Sequence, residues 1–536
     1  MKLIQRLVTY LSLFFAFVSC LWILLINPSL AYTYDSEVKI TSKIPPYPSL
    51  PYTYPMATET QSDDIAQETQ SDDTVEDIPI NPIAKEGAEY FRDFAWETFI
   101  ALNWPADCKT GEAFPEDEIK IGQKPDQPRV WEFYSYPKEV FSSNRQTDMK
   151  DGKFNSQYSP PQCQGQNSDN ATLLESMAKL PKLTLSTGIS KDGTEIGTPR
   201  LAMPLVDRKG NYIMSEERIN PIEVHQIVTN GWYDAKNITT FNDQKKSFQL
   251  VCSQKKPGYN TSVSNKYCNN NDDYDKEGAI EIKPAWMVAK DMNEKERKKY
   301  YITKRAIKVE TKNGKKDKIV DVALVGFHIF QKTSYAGWVI STFEHIKNAP
   351  DNKDIERKEN INENYHLYDP NCKGETCPKN NSLTAKKPYL WGLKETDQSL
   401  DKESNNIYNV TDTVYAMTRN EPQIPSQITR EDPLSVEEKL SNKKWTESDE
   451  WGEEKVWPQY YQLIGVQWLV DPRIAFSYSF NLHGKKHLAN VALEPFNQKS
   501  SSCFECHAKY AKLPGSDVPA DLSFLMRRTK KSSIIK

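Results

Sequence analysis

Apolar positions divide the chain into a few helices and many strands. Between residues 84 and 102, Phe91, Phe94, Ala95, Phe99 and Leu102 recur at intervals of three and four, the signature of one buried helix face, and Asn103-Trp104-Pro105 closes the run. A second helix is expected to open at Asn220-Pro221-Ile222-Glu223, where Asn caps, Pro takes the first helical position and Glu the capping-box position. Most of the remaining pattern alternates. Residues 201–215 read as a hairpin around Asp207-Arg208-Lys209-Gly210, and Lys312-Asn313-Gly314 as a turn joining strands at 305–310 and 318–331. The latter strand is apolar on both sides, with Ala323, Val325, Phe327 and Ile329 on one face and Val322, Leu324 and Phe330 on the other, so a central position is expected. Its partner follows at 337–346, then another apolar strand at 460–469, followed by one at 488–496. Residues 350–455, charged and rich in Asn, read as long loops. The expected fold class is α+β, a large antiparallel-sheet-rich body with few helices.

The N-terminus carries a different pattern. Lys2 and Arg6 precede an apolar run over 7–26, Pro28 breaks it, and Ser29-Leu30-Ala31 offers small residues for cleavage after Ala31. Residues 1–31 are therefore expected to be a secretory signal peptide. An uncleaved anchor is the alternative, since about 20 apolar residues reach across a bilayer. Both place the body outside the cytoplasm, periplasmic or otherwise exported. Residues 32–83 begin Pro- and Tyr-rich, then repeat Glu-Thr-Gln-Ser-Asp-Asp at 59–64 and 68–73; ten acids against two lysines predict a disordered linker. Residues 84–536 show no internal boundary and read as one body. The chain's net charge of −4 argues against nucleic-acid binding, and the body is nearly neutral. No strong membrane association is expected after cleavage.

An exported location gives the cysteines meaning. Among the eight beyond residue 31, Cys503-Phe504-Glu505-Cys506-His507 has the spacing of covalent haem attachment. At this composition the pattern arises by chance only about 0.002 times. Two thiols one helical turn apart can add to the two vinyl groups, and the adjacent imidazole faces the iron. A zinc site would need a second Cys/His pair at matching spacing, and a redox dithiol a βαβ setting; neither is present in the sequence. One covalent haem c is expected, within a C-terminal segment of about 495–530, bound by Cys503 and Cys506 with His507 as proximal ligand. The other six cysteines are expected to form disulfides, with sequence proximity favouring Cys108–Cys163, Cys252–Cys268 and Cys372–Cys377.

Only 29 residues follow His507, too few for a class I cytochrome c module, whose motif lies near its start. The strands and loops upstream likewise do not fit a four-helix cytochrome. The haem must pack against the large body. Candidates for the distal side are Met526 and histidines 225, 328, 345, 366, 483 and 487. The plainer role of Met526 is apolar filling. His328 and His345 stand out: an even hairpin loop near Tyr335-Ala336 would set His328 opposite Phe343 and His345 opposite Gly326, on one face, with the glycine leaving room for a flat ligand. An odd loop would send them to opposite faces.

Several blocks together carry a family resemblance. They are Trp96-Glu97-Thr98-Phe99-Ile100-Ala101-Leu102-Asn103-Trp104-Pro105, Val325-Gly326-Phe327-His328 through Asn348-Ala349-Pro350, Gln423-Ile424-Pro425 to Arg430, Tyr461-Gln462-Leu463-Ile464-Gly465 to Trp468, and Leu488-Ala489-Asn490 to Glu494 leading into Ser502-Cys503. In these the chain resembles the secreted bacterial proteins termed cytochrome c family proteins. The resemblance implies export and a single covalent haem, and it carries no activity with it. The leading functional expectation is single-electron transfer with an unknown redox partner protein. Two alternatives stand beside it. One is a peroxidase- or oxidase-like haem enzyme with an open distal site lined by His328, His345 or Arg430; the other is a haem-based redox or gas sensor or binding module.

Overall fold

Apolar spacing builds the first helix as expected. Helix α1 spans Pro82–Leu102, and Phe91, Phe94, Ala95, Phe99 and Leu102 are all buried. The structure, a computed structural model, describes residues 38, 40–46, 48, 82–141, 158–163, 174, 205–244, 248–253, 277–290, 292–311, 314–334, 336–357, 364–372, 379–380, 415–417, 425–469, 482–500, 502–514 and 516–529. The expected signal peptide lies outside these. Within the segment expected to be linker, residues 40–46 contact the body. Glu116 accepts hydrogen bonds from the Thr41 hydroxyl and the Ser42 amide, both at 2.6 Å, and the Pro45 carbonyl accepts from Gln331 at 2.7 Å.

Nine strands form one sheet among the described residues: β1 (Met214–Ser215), β2 (Arg218–Ile219), β3 (Ile280–Val288), β4 (Ile302–Thr311), β5 (Gly314–Thr333), β6 (Gly337–His345), β7 (Tyr415–Met417), β8 (Tyr461–Leu469) and β9 (Leu482–Gly484). Eight are joined by antiparallel pairing, and β7 lies parallel to β4. The longer helices are α1, α2 (Pro221–Thr229), α3 (Ala235–Gln244), α4 (Val436–Thr446) and α5 (Cys503–Tyr510). The α+β expectation holds at this level. Strand β5 is central as expected, with β3 on one edge and β4 then β6 on the other.

Local rules explain most of the agreements. Asn220 caps α2 by accepting from the Glu223 amide at 3.1 Å, and the same oxygen accepts from Ile280 N. Around Asp207–Gly210 the expected hairpin is a short one, bridged at Val206 and Tyr212. Cys108 and Cys163 form the expected disulfide. Cys252 and Cys372 are also disulfide-bonded, and the partners expected for them, Cys268 and Cys377, lie outside the described residues. None of the described helices is long and apolar enough to cross a membrane.

Four expectations need correction. First, β5 and β6 pair as His328 with Thr342 and Phe327 with Phe343, leaving a three-residue loop after Thr333. Gly337, at φ 63°, supplies the left-handed residue such a loop requires. The odd loop puts His328 and His345 on opposite faces. Second, the expected faces of β5 break at a bulge: Ala285 pairs with Gly326 and Trp286 with Leu324, so Val325 is extra. Ala323 and Val325 therefore cluster with Ala285, Met287 and Val491, while the Phe327 ring lies 5.8 Å from Phe99 on the other side. Third, the expected loop region contains α4, started by a Ser435/Glu438 capping box and anchored by Trp445, whose indole donates to Asp93 at 2.7 Å. Fourth, residues 488–496 form turns instead of a strand, because the Asn490 carbonyl takes the amides of Leu493 and Glu494.

The sheet separates two apolar layers. Phe99 of α1 stacks on Phe343 at 4.2 Å. On the opposite face, Phe330, Trp338, Ile340 and Ile464 bury against Cys503, Phe504, Leu513 and Met526.

Candidate functional site

Helix α5 presents the Cys-x-x-Cys-His motif. Its start is fixed by Ser502, whose hydroxyl accepts from Glu505 N at 3.4 Å, and by Gln467 of β8, which bonds both Phe504 N and the Ser502 hydroxyl at 3.3 Å. Phe504 is wholly buried and pins the helix to the sheet. Cys503 and Cys506 are thiols one turn apart, the first buried and the second half-buried. Next to them His507 is 3% exposed, its ring 4.6 Å from both Phe330 and Phe524.

The Nδ1 of His507 lies 2.5 Å from the Leu522 carbonyl oxygen. A carbonyl only accepts, so Nδ1 carries the proton and the ring is held through that nitrogen. That carbonyl is aimed by an unusual turn, since Asp521 (φ 52°) and Leu522 (φ 63°) are consecutive left-handed residues without being glycine.

Beside His507 a small cleft, partly open to solvent, is walled by Phe330, Phe524, Leu525, Ile219 and Ile282 and also lined by His328. Its polar edge holds Glu217, Arg218, Glu281, Lys283 and Arg528. Glu217 bridges Arg528 at 2.5 Å and Lys283 at 3.7 Å. These features fit a haem: two thiols, an imidazole held through Nδ1, and aromatic walls for a flat ring. Among the described residues, no group of three or more His, Cys, Asp and Glu side chains is arranged to hold a bare metal ion.

Compared with known proteins, the chain matches no family model, and no curated protein or solved structure is significantly similar to it.

Of the distal candidates, only His328 lines this cleft with His507. Both its nitrogens are engaged, Nδ1 with the Thr342 hydroxyl at 2.7 Å and Nε2 with the two Glu494 oxygens at 2.9 and 3.0 Å. Asn490 donates to the Thr342 hydroxyl at 2.8 Å, and Glu494 accepts from Asn490 N at 3.0 Å, which closes a buried ring of hydrogen bonds. Gly326 leaves no room for a ligand. It faces Glu344, and a Cβ there would lie 2.9 Å from Asn490 Oδ1.

The remaining candidates stand elsewhere. His345 stacks on Tyr300 at 3.9 Å, donates to Lys299 O at 3.2 Å and accepts from Lys347 N at 3.1 Å. Burial, then the neighbouring His366, holds its pKa well below the usual histidine value. Met526 is fully buried among apolar neighbours. Arg430 is locked by Glu344 at 2.7 and 3.1 Å and by Asp351 at 3.2 Å. His366 bonds the Tyr300 hydroxyl at 2.5 Å, His483 sits in β9 near Trp468, and His225 is exposed on α2. Sequence reasoning missed Phe330, Phe524, Glu494 and the Leu522 carbonyl. Glu494 lay inside a quoted block and could have been noticed as a carboxylate near the motif, but a backbone carbonyl leaves no sequence mark.

Proposed function

We propose that this chain carries one covalent c-type haem on Cys503 and Cys506, with His507 as proximal ligand, and serves as an exported carrier of single electrons for a redox partner protein. The observation that carries the reading is the held tautomer of His507. Nδ1–H is committed to the Leu522 carbonyl, so a haem iron would be met through Nε2, beside an aromatic-walled cleft and next to a helix that carries two thiols one turn apart. A bound haem supplies a one-electron iron couple whose potential follows axial ligation, hydrogen bonding and burial. The protein's part is to hold the imidazole, exclude water with Phe330, Phe524 and Leu525, and oppose acidic groups with Lys283 and Arg528. The apolar segment at 1–31 supports export, and the motif blocks support kinship with the cytochrome c family proteins that the sequence resembles.

One observation favours a second reading, a haem enzyme with an open distal position. The other imidazole lining the cleft, His328, is hydrogen-bonded through both nitrogens, which supports a polar pocket group over an iron ligand. Optical and paramagnetic resonance spectra of the ferric protein distinguish the two. A six-coordinate low-spin signal supports electron transfer, and a five-coordinate high-spin signal supports the enzyme. In either case Cys503→Ala with Cys506→Ala removes covalent haem, read as loss of haem stain on a denaturing gel. Retention of the stain overturns the attachment site.

A further inference from the structure

Residues Asp521 and Leu522 form a turn whose Leu522 carbonyl meets His507, and three groups from outside the C-terminal segment hold that turn. The Asp521 carboxylate takes the ammonium of Lys332, a buried residue of β5. The same oxygen accepts from Leu250 N at 2.7 Å. The backbone carbonyl of Asp521 accepts the indole N–H of Trp338, in β6, at 2.7 Å. The left-handed backbone of Leu522, costly for a side chain of that size, persists because its neighbour is fixed on three sides. One bond further on, the Leu522 carbonyl meets His507 Nδ1. His507 itself belongs to α5, which is anchored separately through Gln467. The anchored turn and the anchored helix therefore meet at the bond between His507 and the Leu522 carbonyl.

We infer that Asp521 is a positioning residue for His507, with Lys332, Leu250 N and Trp338 clamping the turn so that the Leu522 carbonyl polarises the imidazole. The inference rests on the haem reading for its redox consequence and on geometry alone for the hydrogen bond. An acceptor on Nδ1–H makes Nε2 a stronger electron donor, which favours ferric over ferrous iron. Loosening the clamp weakens that donation and raises the midpoint potential.

The test uses a double substitution, Asp521→Gly with Lys332→Met. It removes one negative and one positive charge together, and glycine keeps the left-handed backbone accessible. Two quantities are measured on the full chain. One is the midpoint potential of the haem-loaded protein; the other is exchange of the His507 Nδ1 proton by NMR, which needs no haem. The expected results are a rise equivalent to about a tenfold shift in the ferrous-to-ferric ratio, about 59 mV for one electron, and roughly tenfold faster proton exchange. Trp338→Phe changes no charge and keeps the ring packed. It serves should the double variant fail to fold, and is expected to move both readouts the same way by roughly threefold. Unchanged potential and exchange in a folded variant overturn the clamp. Absence of a c-type pyridine haemochrome band in the unsubstituted protein overturns the haem reading instead, and the proton-exchange comparison still decides the clamp.

Discussion

His507 and His328 share a cleft, yet their surroundings differ. His507 is held through Nδ1 by a backbone carbonyl. His328 bonds side chains through both nitrogens, inside a ring that also contains Thr342, Asn490 and Glu494. Glu494→Ala would strip the partner from His328 Nε2 and from Asn490 N. Two buried polar groups left unpaired are expected to cost about 3 kcal/mol, measured as a lowered urea midpoint, with covalent haem content unchanged. A loss of haem without loss of stability would instead make Glu494 part of the attachment machinery. At this scale the motif itself was readable because thiol chemistry requires a fixed spacing. The proximal carbonyl was not, since any residue could supply it and what matters is the left-handed turn at Asp521–Leu522.

Elements were readable where burial imposes a period. Helix α1 and strands β5, β6 and β8 follow directly from their apolar spacing. Register was not readable, because alternation is the same for an even and an odd loop; the deciding feature is Gly337 at positive φ. The bulge at Val325 escaped for the same reason, as one extra residue exchanges the faces without altering the composition. Gly326 lies next to this bulge. Gly326→Ala would set a Cβ 2.9 Å from Asn490 Oδ1 and 3.2 Å from Ala285 Cβ, displacing the side chain that bonds Thr342 and the Phe343 carbonyl. An overpacking cost of about 1–3 kcal/mol is expected. A stability equal to that of the parent would show that Asn490 is not held as described.

Across the whole molecule, buried ionisable groups make stability depend on acid. Burial pushes the His366 pKa from 6.5 down to about 3, so the unfolded chain binds the proton more readily and stability is lost as pH falls from 6.5 towards 3. Burial alone would raise the pKa of Glu216, but Arg305 and Arg218 outweigh it and hold the carboxylate at about 2 against 4.5. Its contribution, about 3 kcal/mol, is present above pH 4.5 and lost as pH falls through 2. Asp207 acts in reverse: burial raises it from 3.8 to about 6, and stability is gained as pH falls between those values. His366→Gln is expected to reduce the slope of unfolding free energy between pH 6 and 4 by about one proton, about 1.4 kcal/mol per pH unit. An unchanged slope in urea titrations would contradict a neutral buried His366.

The compact unit Ile40–Lys536 is far larger than an electron carrier needs, and its sheet serves the site in a specific way. Strand β5 alone contributes His328 and Phe330 to the cleft and Lys332 to the turn behind His507. The motif thus packs on a surface built by the sheet. The proposed function depends on covalent attachment at α5. Peptide mass spectrometry of the protein, produced where c-type haem is matured, tests it most directly. The account predicts that the fragment containing Cys503 and Cys506 carries the added mass of one haem through two thioether bonds. Recovery of both cysteines as alkylatable thiols, or joined to each other in a disulfide, would contradict it.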